Sequence, residues 1–176
     1  ISSGWGDELD MGDPATLRDF LKWATTEYPA QERILVIWDH GNGFKRVAED
    51  GGSYLTVPEI EGALAEYRSV TGHGPLTLIG FDACLMGMFE IAYELREHAA
   101  YIHGSEAYEP QEGWTYNHLL PLLGAETTRE QMLEAVVHSY VESYRNGSVP
   151  GGYSVTATII DTAQLEPLHE AISGFG

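Results

Sequence analysis

Two stretches decide the fold: RILVIWDHGNG, from Arg33 to Gly43, and LTLIGFDACLMGM, from Leu76 to Met88. Each begins with a short, continuous apolar run rich in branched residues, the pattern of a strand covered on both faces. Each run then breaks into small and polar residues: Asp39-His40-Gly41-Asn42-Gly43 in the first, Asp82-Ala83-Cys84 in the second. Around them the spacing alternates between strand and helix. Asp13 and Pro14 open a helix carrying Leu17, Phe20, Leu21 and Ala24, as an N-cap followed by proline at the first helical position. Thr56 and Glu59 have capping-box spacing for a helix bearing Ile60, Ala63, Leu64 and Tyr67. A helix is predicted from the Cys84 region to about His98, and a third strand over Tyr101–Gly104 ends in a polar loop from Ser105 to Gly113. A long helix over 128–144, a strand over 153–160 and a last helix from Thr162 complete the pattern. Strands separated by helices predict an α/β sandwich, three layers deep, around a mostly parallel central sheet.

In such a fold, chemistry sits beyond the carboxyl ends of the strands. Three such ends carry His40, Cys84 and the Ser105–Glu112 loop. A lone cysteine is by default a small buried hydrophobe. Cys84, however, follows a strand and is expected to open a helix, where partial positive charge favours the thiolate. If the two strands are neighbours, His40 can serve that thiol as general base and a leaving amine as general acid. The N–H groups of Gly41 and Cys84 are then candidate oxyanion donors. A histidine simply held in a turn fits the same residues. Asp39 is not expected to orient its own neighbour, because adjacent residues along a strand point to opposite faces. Trp38, Trp114 and Tyr116 read as core or pocket wall.

Composition narrows the classes. The 176 residues hold 27 Asp plus Glu against 9 Lys plus Arg, a formal net charge of −18. A polyanion does not neutralise phosphates, so nucleic acid and anionic membranes are poor partners, whereas basic ones suit the field. The same acidity also serves solubility. At 43% hydrophobic the chain can bury a core. No run approaches the ~20 apolar residues that span a bilayer. One cysteine excludes an internal disulfide. With no initial methionine and no signal-peptide pattern, the sequence is expected to be a single domain, residues 1–176, within a longer protein.

The words around these residues are specific. WDHGNGF (Trp38 to Phe44) and GFDACLMGMFEIAYEL (Gly80 to Leu95) resemble the clostripain family of cysteine peptidases, as do MGDPATLRDFLKWA (Met11 to Ala24) and SEAYEPQEGWTY (Ser105 to Tyr116). The resemblance implies a caspase-like fold with a dyad matching His40 and Cys84. It implies endopeptidase cleavage after arginine or lysine, secretion from or display on a bacterial cell, and activity helped by calcium. The acid two positions before the nucleophile matches Asp82, which in the family faces the basic side chain. An aspartate there could equally cap a following helix. A second pocket acid is expected after the next strand, with Glu106 first and Glu109 or Glu112 next. Where the family often has His-Gly-Gly-Gly, Asn42 interrupts the glycines, and the expected exposed loop, 47–54, has no Lys or Arg at which self-processing could occur. No cofactor is needed for dyad chemistry. Two other readings stand beside it: a non-catalytic binding module that retains the fold, and a metal-dependent hydrolase using Asp39 and His40, which lacks ligand pairs at helical spacing.

Overall fold

The computed structural model describes residues 8–146 and 153–175. Helix Pro14–Glu27 (α1) begins as its sequence dictates: the Asp13 carboxylate accepts the Ala15 N–H over 2.8 Å, and Leu17 and Leu21 are buried. Strand Ile34–Trp38 (β1) follows. Strands Val47–Asp50 (β2) and Ser53–Leu55 (β3) then pair antiparallel across Gly51 and Gly52, both at positive φ. The expected exposed loop is therefore a hairpin. Two successive left-handed residues suit glycine, and they reverse the chain. Helix Val57–Thr71 (α2) carries the full Thr56–Glu59 capping box and ends on left-handed Gly72.

Strand Leu76–Asp82 (β4) is buried at all seven residues. It has a strand on each side: β1 and Ala99–Gly104 (β5) both run parallel to it. Helix Phe89–Leu95 (α3) connects β4 to β5. The sheet order is completed by Thr158–Asp161 (β6), which pairs with β5 antiparallel. The sheet is thus mostly parallel, and its last strand is shorter than the expected 153–160. Between β5 and β6 lie a one-turn helix, Tyr116–Leu119 (α4), which runs on into a 3₁₀ turn, and the long helix Arg129–Arg145 (α5). The short helix was not expected. Thr128 and Gln131 close a second capping box at the start of α5. A final helix, Leu165–Ser173 (α6), follows a 3₁₀ turn at Thr162–Gln164.

Each face of the sheet has its own core. On one, Leu17, Leu21, Ile60, Leu64, Ile91 and Leu95 from α1, α2 and α3 pack on Leu35, Ile37, Ile79 and Phe81. On the other, Leu78 meets Trp114, Leu119, Val136, Tyr140 and Tyr144. Truncating a fully buried residue such as Leu78 to alanine costs about 2–5 kcal/mol. β1 departs from the fully covered strand expected of it: Leu35 and Ile37 are buried, but Trp38 is 66% exposed, because β1 is the edge strand.

Candidate active site

Parallel pairing places the two strand ends side by side. Trp38 is the register partner of Asp82, and the Asp39 N–H donates to the Asp82 carbonyl over 3.4 Å. Two residues further on each chain stand His40 and Cys84. Their backbones stay in contact beyond the sheet: a methyl group added to Gly41 would lie 3.0 Å from the Cys84 nitrogen and 3.1 Å from Ala83 Cβ, and closer still to the Cys84 carbonyl oxygen. Only glycine permits that approach. His40 is exposed at the mouth of a cavity of about 310 Å³, shared with Gly41, Asn42, Arg46, Glu49 and Tyr108. Asp39 and Trp38 instead line a larger groove along β1, on the side of α1. Trp38 is therefore groove wall, not core.

Cys84 does not open a helix. Residues 83–88 form an irregular turn with Leu85 at φ 63°, and α3 starts only at Phe89. The turn is held instead by the segment after β5. Leu85 N–H donates to the Ala107 carbonyl (3.1 Å) and Gly87 N–H to the Ser105 carbonyl (2.8 Å). Gly87 and Gly104 make room for this contact, since a methyl on Gly104 would sit 2.7 Å from the Gly87 nitrogen. At the end of the segment, the Glu109 N–H donates to Cys84 Sγ over 3.2 Å, and the thiol lies 3.7 Å from the Glu109 carbonyl. The half-buried thiol thus faces the backbone N–H and carbonyl of one residue, Glu109.

Asp82 is 3% exposed, yet its carboxylate has three positioned donors or partners. The Trp114 N–H reaches both oxygens (3.1 and 3.2 Å), and the Tyr116 hydroxyl donates over 2.8 Å. The third partner is the Glu109 carboxyl. Asp82 therefore does not cap a helix. Its donors come from the loop and α4 across the sheet end, not from the residues that follow it. Trp114 reaches this position because Gly80 has no side chain; a Gly80 methyl would lie 2.6 Å from the indole Cη2.

Of the three candidate second acids, Glu106 and Glu112 are exposed, and the Glu106 N–H is occupied with Thr156 Oγ1 at 3.1 Å. Glu109 is the one that turns inward. Both its carboxyl oxygens are buried, and among the described residues no N–H or hydroxyl reaches them. Burial, with the Asp82 carboxylate beside it, pushes the Glu109 carboxyl up to about 9. At neutral pH it holds a proton and donates it to Asp82, whose own affinity for protons burial also raises. Burial and the two acids push the Tyr116 and Tyr140 phenols up, and Tyr144 up to about 12. His103 is fully buried, edge-on to Trp114 at 4.6 Å, and burial lowers it to about 4. Nothing in the sequence distinguishes Glu109 from its neighbours; the direction of each loop residue is fixed by the long-range contact with the 84–87 turn.

Among the described residues, no group of three or more His, Cys, Asp or Glu side chains is placed to hold a metal ion. The calcium implied by resemblance therefore has no such cluster among the described residues. No described helix is long and apolar enough to cross a membrane.

Comparison with known proteins identifies the family of the chain. The model of the clostripain family, Peptidase_C11, matches residues 1–175. Clostripain of Hathewaya histolytica is 31% identical over 106 residues, which cover 51% of this chain and 19% of that protein. A secreted C11 cysteine protease from Bacteroides thetaiotaomicron, solved with an irreversible peptide inhibitor, superposes with a TM-score of 0.75 at 26% identity, over 90% of this chain and 47% of that one. An inactive zymogen C11 protease from Parabacteroides distasonis has the same fold, with a TM-score of 0.72 at 21% identity over 94% and 44% of the two chains. The chain spans about half the length of these solved relatives and a fifth of the curated one.

Proposed function

Since the chain belongs to the clostripain family and has its caspase-like fold, we propose that it acts as a cysteine endopeptidase cutting after arginine or lysine. The observation that supports this most is the parallel register of β1 and β4, which sets His40 and Cys84 at matching positions on adjacent strand ends. In this reading Cys84 is the nucleophile and His40 its general base. The thiolate attacks the scissile carbonyl, and the N–H groups of Gly41 and Cys84 stabilise the oxyanion. Imidazolium then protonates the departing amine, leaving a thioester on Cys84. A water deprotonated by His40 hydrolyses that thioester and returns the free thiol.

The buried acid two residues before the nucleophile supports the basic preference. A cationic side chain reaching Asp82 forms a charge-assisted hydrogen bond where water is excluded. Glu109, not Glu106, is the second acid in this reading, because its carboxyl meets Asp82. Substrates are then proteins or peptides with basic residues, and the excess negative charge steers them weakly toward the site. A secreted or cell-surface bacterial location is proposed by likeness to the secreted relative.

Fluorogenic peptides with Arg, Lys, Asp or Leu before the reporter test the proposal, with and without iodoacetamide and a chelator. Iodoacetamide-sensitive release after Arg and Lys supports it. Activity that survives Cys84→Ala contradicts it. No turnover on any peptide, with Cys84 unreactive, favours a binding module instead.

A further inference from the structure

Glu109 has two ends that meet different parts of the site. Its backbone N–H and carbonyl both face the Cys84 sulfur, at 3.2 and 3.7 Å. Its side chain runs the other way, onto Asp82, with both oxygens buried and short of any donor from another residue. Two buried carboxyls in contact are stable only while they share a proton. Displacing that proton requires a positive charge of comparable strength, and a guanidinium or ammonium between the carboxyls supplies it. We propose that Glu109 is a positioning residue: a cationic side chain entering beside Asp82 expels the proton the two acids share and thereby loosens the Glu109 peptide from Cys84, coupling recognition to exposure of the thiol.

The inference deepens the proposed basic-residue specificity and rests on it. The balance is simple. A pair with one proton and one negative charge gains one cation and releases one proton to solvent, and no bond between heavy atoms changes. The groups that face Glu109 are Asp82 from β4, Cys84 from the turn, Tyr116 from α4, and Tyr140 and Tyr144 from α5. Glu112 bears on Tyr144 from the loop, and His103 lies behind Trp114. The tyrosines titrate too high to release the proton between pH 6 and 8, and the buried histidine too low.

The test uses butylguanidinium, a monocation throughout this range, with neutral butylurea as control. Calorimetry of the intact chain is expected to show association rising about tenfold per pH unit between pH 6 and 8, the slope of one linked proton. Titrations in two buffers of different ionisation enthalpy should give release of one proton. In Glu109→Gln the slope should vanish, and the wild-type buffer comparison decides the matter even if that variant folds poorly. Saturating butylguanidinium, but not butylurea, should also speed alkylation of Cys84 by iodoacetamide. Affinity flat with pH, no proton release, no binding, or an unchanged alkylation rate overturns the coupling. If arginyl peptides are cut while affinity stays flat with pH, the coupling fails and the peptidase reading stands. If the cation binds with proton release but no peptide is cut, the peptidase reading fails instead.

Discussion

Trp38 and Asp82 are register partners in the parallel pair at the centre of the site, and two residues beyond each stand His40 and Cys84. A parallel register keeps matching residues level along the sheet, so one pairing fixes where both candidate side chains emerge. The contact continues past the strands through Gly41, whose α-carbon lies against the Cys84 backbone.

Gly41→Ala is accordingly expected to displace the Cys84 turn. The added methyl meets backbone, not a flexible side chain, so something must shift. A displacement of about 1 Å at a reacting group lowers rate on the order of 100-fold. Steady-state cleavage of an arginyl peptide, with a thermal melt to confirm folding, is the check. Unchanged kcat would show that the close approach is irrelevant to chemistry.

Tyr116→Phe removes the hydroxyl that donates to buried Asp82. A hydrogen bond to a charged group contributes about 1.5–3 kcal/mol, and its loss leaves a buried acceptor short of a donor. A lower melting temperature is expected, together with a loss of kcat/KM on arginyl peptides larger than the loss in iodoacetamide reactivity. Equal losses in both would mean that the tyrosine merely supports the turn.

Glu109→Gln should raise stability above neutral pH. The carboxyl is about 9 in the folded chain against 4.5 in the unfolded one. The unfolded chain therefore ionises as pH rises past 4.5 while the folded chain stays protonated. Stability from this group is complete below about pH 4.5 and is lost progressively up to about 9. Glutamine keeps a donor toward Asp82 and does not ionise. Melting curves at pH 5, 7 and 9 should show the variant gaining on the wild type at each step. A constant difference would rule out a protonated Glu109.

His103 acts at the other end of the scale. It is fully buried, with neither ring nitrogen partnered among the described residues, and lies near 4 against an ordinary 6.5. The folded value is depressed, so as pH falls below 6.5 the unfolded chain gains a proton that the folded one refuses. The loss, spread between pH 6.5 and 4, amounts to roughly 3 kcal/mol. Denaturant titrations across that range should show the decline, and His103→Phe should flatten it. The same slope in both proteins would place the acid sensitivity elsewhere.

The sheet was legible because β1, β4 and β5 are short apolar runs flanked by turn residues, and α1 and α2 announce themselves with Asp13-Pro14 and the Thr56–Glu59 box. The direction of β6 was not, since a strand's own residues do not say which way it runs against its neighbour. A helix opening at Cys84 suits Leu85, Met86 and Met88, which are good helix formers. The turn prevails because Gly87 meets the 104–105 backbone, a contact between residues far apart in sequence. The hairpin at 47–55 escaped for want of alternation: Glu49 and Asp50 stand where a half-buried strand usually repeats an apolar residue. His40, Gly41, Cys84 and Asp82 stand out as candidates in the sequence, but for the second acid Glu106 comes first and Glu109 shares the next place with Glu112. Three glutamates share one loop, and which of them is buried depends on contacts of that loop with the 84–87 turn, remote in sequence.

The most direct test of the whole account is labelling of the intact chain with a peptidyl-arginine chloromethyl ketone, followed by mass mapping. A thiol activated beside His40, with a basic side chain held near Asp82, should react there and nowhere else. One adduct on Cys84 is expected, formed much faster than with the leucine analogue and absent in His40→Ala. An adduct at another residue, or equal rates for the arginyl and leucyl reagents, would contradict the assignment of Cys84, His40 and Asp82 to one site.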